Sequence, residues 1–348
     1  MDTAWFVIVA LMLTAYVVLD GFDLGAGILH PFVARTDEER RTVLASIGPV
    51  WDGNEVWLLA GGGIVFFAFP RAYAAGFSGF YLPLMFALWL LVGRGLAIEF
   101  RSKEDHPLWR SFWDAVFFGS SAAMALILGV ALANVIRGVP LDEGGYFSGP
   151  LFTDFTPGRD PGVLDWYTCL IGAFATAVLA GHGALYLVWK TDGPVRERSR
   201  RLAERLWPLS AALGLASTVA TFVVQPVIPA HFTARPLCWM LAALALAMLP
   251  AIHAAHRRGR ELPAFLGSAT FMAALLGVTA ASGYPFLLFS THDPAHSITI
   301  GNAASAAATL RVGMAFWCVA IVLAVGYFVW LFWSFAGKVD GGDAGYGH

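Results

Sequence analysis

What most constrains this chain is a series of apolar segments, each about as long as a bilayer's hydrocarbon core is thick. A helix needs about 20 predominantly apolar residues to cross that core. Segments of this kind fall near 4–32, 49–69, 76–98, 114–136, 164–189, 208–229, 237–255, 263–289 and 312–335. They predict an all-α integral membrane protein with nine transmembrane helices. Composition agrees: 58% of the 348 residues are hydrophobic, against about 45–50% in soluble domains, and mean hydropathy is +0.66. The opening "MDTAWFVIVALM" carries an acid where a signal peptide carries positive charge, so it reads as the first span. A formal net charge of −2 offers nothing to a polyanion and excludes nucleic acid as a partner. The cysteines, Cys169, Cys238 and Cys318, lie far apart in apolar runs and form no CxxC pair.

Loop charge orients the spans, because Lys and Arg are retained on the cytoplasmic side. The first, third, fifth and seventh loops hold Arg35, Arg40 and Arg41; Arg101, Lys103 and Arg110; a run from Lys190 to Arg205; and Arg257, Arg258 and Arg260. The other loops and their edges hold only Arg71, Arg137, Arg159, Arg235 and Arg311. The odd loops are therefore expected in the cytoplasm, the N-terminus outside and, after nine spans, the C-terminus inside. The Gly-rich residues at the end, "GGDAGYGH", read as a flexible tail.

Only 13% of the residues are charged, yet "GPVWDGNEVW" places Asp52, Asn54 and Glu55 at the start of the second span. At a rise of about 1.5 Å per residue, Asp23 on the first helix and Asp52 on the second both lie roughly 27 Å from the outer ends of their spans. Arg94, counted from Phe77, lies roughly 26 Å in. Three charges on three successive helices thus share a level near the cytoplasmic edge, with Asp20 and Glu55 toward the midplane and Glu99 nearer the water. Asp20 and Asp23, like Asp52 and Glu55, are three apart and share a helix face. One reading makes the acids dipole partners of the second helix and lets Arg94 snorkel to the interface. The shared depth favours another: buried charges turned inward, with Arg94 flanked by Asp23 and Asp52, on a path for protons. Gly21 and Gly25, and the run "AGGG" at 60–63, would let neighbouring helices approach closely.

A redox centre within the chain would call for buried His or Met ligands. Six of the nine histidines fall in loops or the tail, and His30, His182 and His253 fall at or near cytoplasmic helix ends. No HExxH, Cys/His metal cluster, Walker A motif or GxGxxG unit occurs, so the chain itself offers no catalytic constellation, and a haem held by a pair of these three histidines stays open as the lesser reading.

"DGFDLGAG", "RTDEERRTVLASIGPVWDGNEVW" and "GRGLAIEFRSK" resemble subunit II of the cytochrome bd-type quinol oxidases of bacterial respiratory chains. The likeness continues through "FWDAVFFGSS", "GVALANVIRGVPLD" and "YPFLLFSTHDPAHSITIGNAASAAATL", nearly the whole chain. It implies one transmembrane domain over 1–336, built as two four-helix bundles (1–137 and 164–289) plus one peripheral helix (312–335), with 337–348 a cytoplasmic tail. It also implies a haem-bearing partner, subunit I, holding two b-type haems, one d-type haem and the quinol site. Such a complex sits in the bacterial plasma membrane, oxidises quinol and reduces dioxygen to water with cytoplasmic protons. In some members a quinone sits in subunit II as a structural lipid, and small accessory subunits occur; no residue here assigns either.

The family's proton-path carboxylate, in the WDGN motif, falls on Asp52, its motif acid in DGFD on Asp23, and its third-helix arginine on Arg94. Asp52, supported by Asp23, Glu55 and Asn54, is then expected to relay protons toward subunit I, with Arg94 offsetting their charge and Glu99 and Asp20 at the cytoplasmic entrance. The competing classes are a scaffold without proton conduction and a transporter or channel with a buried charge pathway.

Overall fold

The computed structural model describes residues 1–339. Its helices are α1 (Asp2–Val33), α2 (Asp37–Ile47), α3 (Trp51–Ala68), α4 (Pro70–Gly79), α5 (Tyr81–Phe100), α6 (Pro107–Arg137), α7 (Trp166–Lys190), α8 (Gly193–Val224), α9 (Val227–Ala234), α10 (Pro236–Arg257), α11 (Glu261–Gly283), α12 (Ile300–Ala303) and α13 (Ala307–Ser334). Among the described residues eight of these, α1, α5, α6, α7, α8, α10, α11 and α13, are long and apolar enough to cross a membrane. The chain is therefore a multi-pass membrane protein. The remaining expected span, 49–69, is the 18-residue α3, whose opening Trp-Asp-Gly-Asn-Glu dilutes an otherwise apolar helix.

Three boundaries differ from the hydropathy reading. The expected span 76–98 is divided: α4 ends at Gly79 and α5 begins at Tyr81, with Pro83 in its first turn, where proline is tolerated. The expected span 208–229 is the second half of α8, whose charged first half, from Gly193, is also helical. It stops at Val224 because Gln225 precedes Pro226 and is extended (ψ 91°). The expected span 263–289 ends at Gly283; Phe286–Leu288 then forms β1, antiparallel to β2 (Ile298–Thr299).

Helix α1 is the hub. It packs on α3, α6, α7 and α11, and every residue from Asp20 to His30 is buried. The closest approach is to α7. A Cβ on Gly25 would lie 2.2 Å from the Leu179 carbonyl oxygen and 2.7 Å from the Gly183 Cα, so only glycine fits there. Gly21 meets Leu179 and Met272. In 60–63 only Gly61 touches α1, through Leu13, while nothing lies within 4 Å of a Cβ on Gly62 or Gly63. One hydrophobic cluster runs through α1, α6, α7, α8, α10 and α11, joining the first half of the chain to the second. Helix α13 buries only Leu310 and Leu331 and leans on α3 through Phe328 against Trp57.

The connections gather at two ends. At one, rich in arginine, α2 begins with a Thr36/Glu39 capping box, and Arg198 of α8 donates to Glu39 (2.7 Å) and to the Val33 carbonyl (2.7 Å). Arg196 of α8 pairs with Glu261 at the start of α11. Here 337–339, expected as the start of a flexible tail, are held: Lys190 Nζ donates to the carbonyls of Phe335 (2.6 Å) and Gly337 (2.8 Å), and Lys338 pairs with Asp192. Residues 340–348 lie outside the described residues. At the opposite end α6 closes on Gly138 at φ 102°, and Arg137 is held by Asp165, by Asn134 (2.6 Å) and by the Gly162 carbonyl (3.1 Å).

Candidate functional site

The acids singled out in the sequence sit where α1, α3 and α5 meet. Arg94 of α5 is 1% exposed. Its Nη2 donates to Asp20 Oδ1 on α1 (2.6 Å) and to Glu55 on α3. Asp20 is fully buried, whereas the Glu55 side chain remains 22% exposed. Beside this triad Asn54 Nδ2 donates to Asp23 Oδ2 (2.7 Å) and to the Leu19 carbonyl (3.3 Å). Arg94 is therefore flanked by Asp20 and Glu55, not by Asp23 and Asp52.

The physical reason lies in the helix boundary and in side-chain direction. Because α5 starts at Tyr81, Arg94 is about 20 Å along its span, not 26, and Asp20 and Glu55 fall at about 22 Å on theirs. A helical side chain also leans toward its own N-terminus, which carries the guanidinium of Arg94 toward the middle of the span and away from the level of Asp23 and Asp52. Asp20 is thus the innermost acid and not a mouth. Asp52, in the first turn of α3, is exposed and has no hydrogen-bond partner among the described residues. Glu99 is exposed on the last turn of α5 and joins neither group.

Several buried atoms around the triad have no partner in the structure: Asp20 Oδ2, Asp23 Oδ1, Asn54 Oδ1, Arg94 Nε and Nη1, Trp57 Nε1 and Tyr16 Oη. Buried polar groups are normally satisfied, by water where protein does not serve. Three carboxyl groups face one guanidinium, so the set reaches neutrality only by holding protons, and an uncompensated charge at this depth is costly. A site of this composition can hold and exchange protons.

A second polar cluster, missed in the sequence reading, closes the arginine-rich end. Asp114 of α6 accepts from His30 Nε2 (2.7 Å), Arg40 (2.6 Å) and Arg101 Nε (2.6 Å). Arg101, 2% exposed, also reaches Asp37, which pairs with Arg41 and Arg110. The signal was available: Asp114 is the one carboxylate in the apolar stretch 107–137. Outside the spans, Glu39 of α2 is held down to about 2, chiefly by the Arg198 guanidinium and also by the amides of Arg35 and Thr36.

His182 also departs from expectation. It lies two turns inside α7, fully buried between α1 and α11. Its Nε2 donates to the Val18 carbonyl (3.1 Å), and its Nδ1 lies 2.6 Å from the Ser268 hydroxyl, which also contacts the Phe265 carbonyl. Both ring nitrogens are engaged, and Phe265 stacks on the ring at 4.7 Å, so an axial haem ligand does not fit there. Among the described residues no group of three or more His, Cys, Asp or Glu side chains is arranged to hold a metal ion.

The family described as cytochrome bd terminal oxidase subunit II matches residues 1–335. A Haemophilus influenzae protein named probable cytochrome oxidase subunit 2 is 32% identical, over 97% of this chain and 94% of its own. The Bacillus subtilis cytochrome bd ubiquinol oxidase subunit 2 is 30% identical, over 97% and 96%. A chain of the bd oxidase from Geobacillus thermodenitrificans shares the fold at a TM-score of 0.75, with 18% identity, over 96% of this chain and 98% of that one.

Proposed function

Because this chain belongs to the cytochrome bd terminal oxidase subunit II family, we propose that it is the haem-free partner in a quinol:dioxygen oxidoreductase, carrying protons from the cytoplasm toward the haem-bearing subunit I. The observation that carries this reading is the buried Arg94, held between Asp20 and Glu55 beside the Asp23–Asn54 pair. All nine spans cross the bilayer in this reading, α3 among them. The arginine-rich end faces the cytoplasm, in keeping with the retention of basic loops.

Bound in subunit I, the b- and d-type haems would supply electron transfer to dioxygen; this chain's share is the protons. Asp52, open at the first turn of α3, takes a proton from cytoplasmic water. Glu55 lies one turn deeper on the same face and is partly exposed, so it is the next acceptor. Its contact with Arg94 makes its ionised form tolerable, and the shared guanidinium couples Glu55 to Asp20, so that charge lost by one acid is compensated at the other. Asn54 donates to one oxygen of Asp23 and leaves the other to receive a proton. From Asp20 and Asp23 the protons pass to the subunit interface.

Replacing Asp52 by Asn in the assembled complex tests this. Oxygen consumption with saturating quinol should fall severalfold while assembly and haem absorbance stay intact. Near-normal turnover would remove Asp52 from the path and favour the scaffold reading, in which the Asp20–Arg94–Glu55 triad only ties three helices together.

A further inference from the structure

Along α1, Tyr16, Asp20, Asp23, Gly27 and His30 follow one another at spacings of four, three, four and three, so they form one stripe on one face. All five are buried. The proposed relay uses the middle of this stripe; its His30 end has no role there. Opposite it, Asp114, Phe117 and Ser121 make a matching face of α6. The two faces interlock at Gly27, where a Cβ would lie 2.0 Å from Ser121 Oγ and 3.3 Å from the Phe117 ring. The glycine thus admits a hydroxyl into the stripe, midway between Asp23 and His30. That hydroxyl is fully buried and has no partner, and neither do His30 Nδ1 and Asp23 Oδ1. The residues that carry these groups therefore follow one another along the α1–α6 seam at a helical rise of about 5 Å, a spacing that one water can bridge.

We propose that this seam is a second proton entrance, running from Asp114 and His30 through Ser121 to Asp23, and that it converges there with the route from Asp52. The proposal rests on the relay reading of the triad. His30 lies behind Asp114, whose side chain is 10% exposed; its partner Arg40, and Asp37 on the far side of the shared Arg101, are about one-third open to water. The charged groups around it come from three directions: Asp37, Arg40 and Arg41 on α2, Arg101 at the end of α5, and Asp105, Arg110 and Asp114 leading into α6. Three carboxylates stand close to four guanidiniums, so the cluster is near neutrality and adds little to the cost of a proton crossing it. In the transfer itself, His30 starts as the Nδ1–H tautomer: Nε2 receives a proton over the Asp114 carboxylate, Nδ1–H gives one up toward Ser121, and the ring is left as the Nε2–H tautomer that donates to Asp114. The hydroxyl accepts that proton and passes its own to Asp23 Oδ1, and a turn of each group resets the chain. One proton enters and one leaves.

The test uses the assembled complex with variants Ser121→Ala, His30→Gln, Asp52→Asn and the double variant Asp52→Asn/Ser121→Ala. Turnover is measured as pH is raised from mildly acidic to mildly alkaline, with haem absorbance as the assembly control. Each seam variant should lose turnover increasingly as pH rises and protons become scarce, and the double variant should fall about tenfold below Asp52→Asn alone. If Ser121→Ala and His30→Gln match the unmodified complex while Asp52→Asn is impaired, the seam is refuted and the Asp52 route stands. If their loss is the same at every pH, the residues serve packing and the seam is likewise refuted. If Asp52→Asn and the double variant both turn over normally, the relay and the seam fall together.

Discussion

The Asp20–Arg94–Glu55 triad makes a quantitative prediction for Arg94→Gln. The guanidinium is 1% exposed and its Nη2 alone serves two carboxylates, one of them fully buried with its second oxygen already unpartnered. Glutamine is shorter and neutral, so both acids lose their cation and Asp20 loses the one side-chain hydrogen-bond partner it has among the described residues. At charge separations of about 4 Å and an effective dielectric near 20, each attraction is worth about 4 kcal/mol. Removing one member of a buried pair costs about 3–5 kcal/mol. Proton uptake by Asp20 relieves part of this, which leaves about 3 kcal/mol, or over a hundredfold in the unfolding equilibrium. Adding Asp20→Asn removes the orphaned acid, so the double variant should recover about 1–2 kcal/mol relative to additivity. Unfolding of the complex in mixed micelles titrated with a denaturing detergent, followed by helical circular dichroism, reads both numbers. A loss below about 1 kcal/mol for Arg94→Gln, additive with Asp20→Asn, would show that the arginine is not the electrostatic keystone of these helices.

Two further outcomes follow from packing and from the α2 clamp. Gly25→Ala drives a methyl into the α7 backbone and should destabilise the complex by about 1–3 kcal/mol, whereas Gly62→Ala, with nothing within 4 Å, should change stability by less than about 0.5 kcal/mol; the same detergent titration compares them. Glu39 is depressed from 4.5 to about 2 in the folded chain. Its contribution is therefore complete above pH 4.5 and is lost as pH falls toward 2, to an extent of about 1–2 kcal/mol after allowance for its partly exposed setting. Melting temperature measured across that window should drop less in Arg198→Met than in the unmodified complex, and an unchanged acid dependence would contradict the clamp.

How much of this was legible beforehand depended on which signal each element carries. Eight spans announced themselves because a continuous apolar run has no other stable home. The first half of α8 did not, since Arg-Glu-Arg-Ser-Arg-Arg forms helix as readily as it forms a solvated loop, and hydropathy reports only the apolar remainder. The break between α4 and α5 had a local sign, Pro83, which belongs in a first helical turn. The sign was overlooked because the apolar pattern runs unbroken through Phe80. Asp114 was readable by the rule that a charge in a span faces a partner, but its partners come from three separate segments, and no spacing rule connects Arg40 or Arg101 to it.

The acids show why depth read from Cα positions misassigns partners even when the residues are right. A four-residue error in the start of α5 displaces Arg94 by about 6 Å, and the lean of an arginine side chain adds a further turn of reach. Together they move its contacts from Asp23 and Asp52 to Asp20 and Glu55, one turn away on each neighbouring helix. The substitution matters for mechanism. An acid paired with Arg94 would be a fixed anion; the proposed relay needs an open one at its entrance, and Asp52 is exposed and unpaired among the described residues. The guanidinium spent on Asp20 and Glu55 stabilises the acids that need it, those removed from solvent. The division of labour that the proposed relay assigns to an open acid and compensated inner acids therefore follows from where one helix begins.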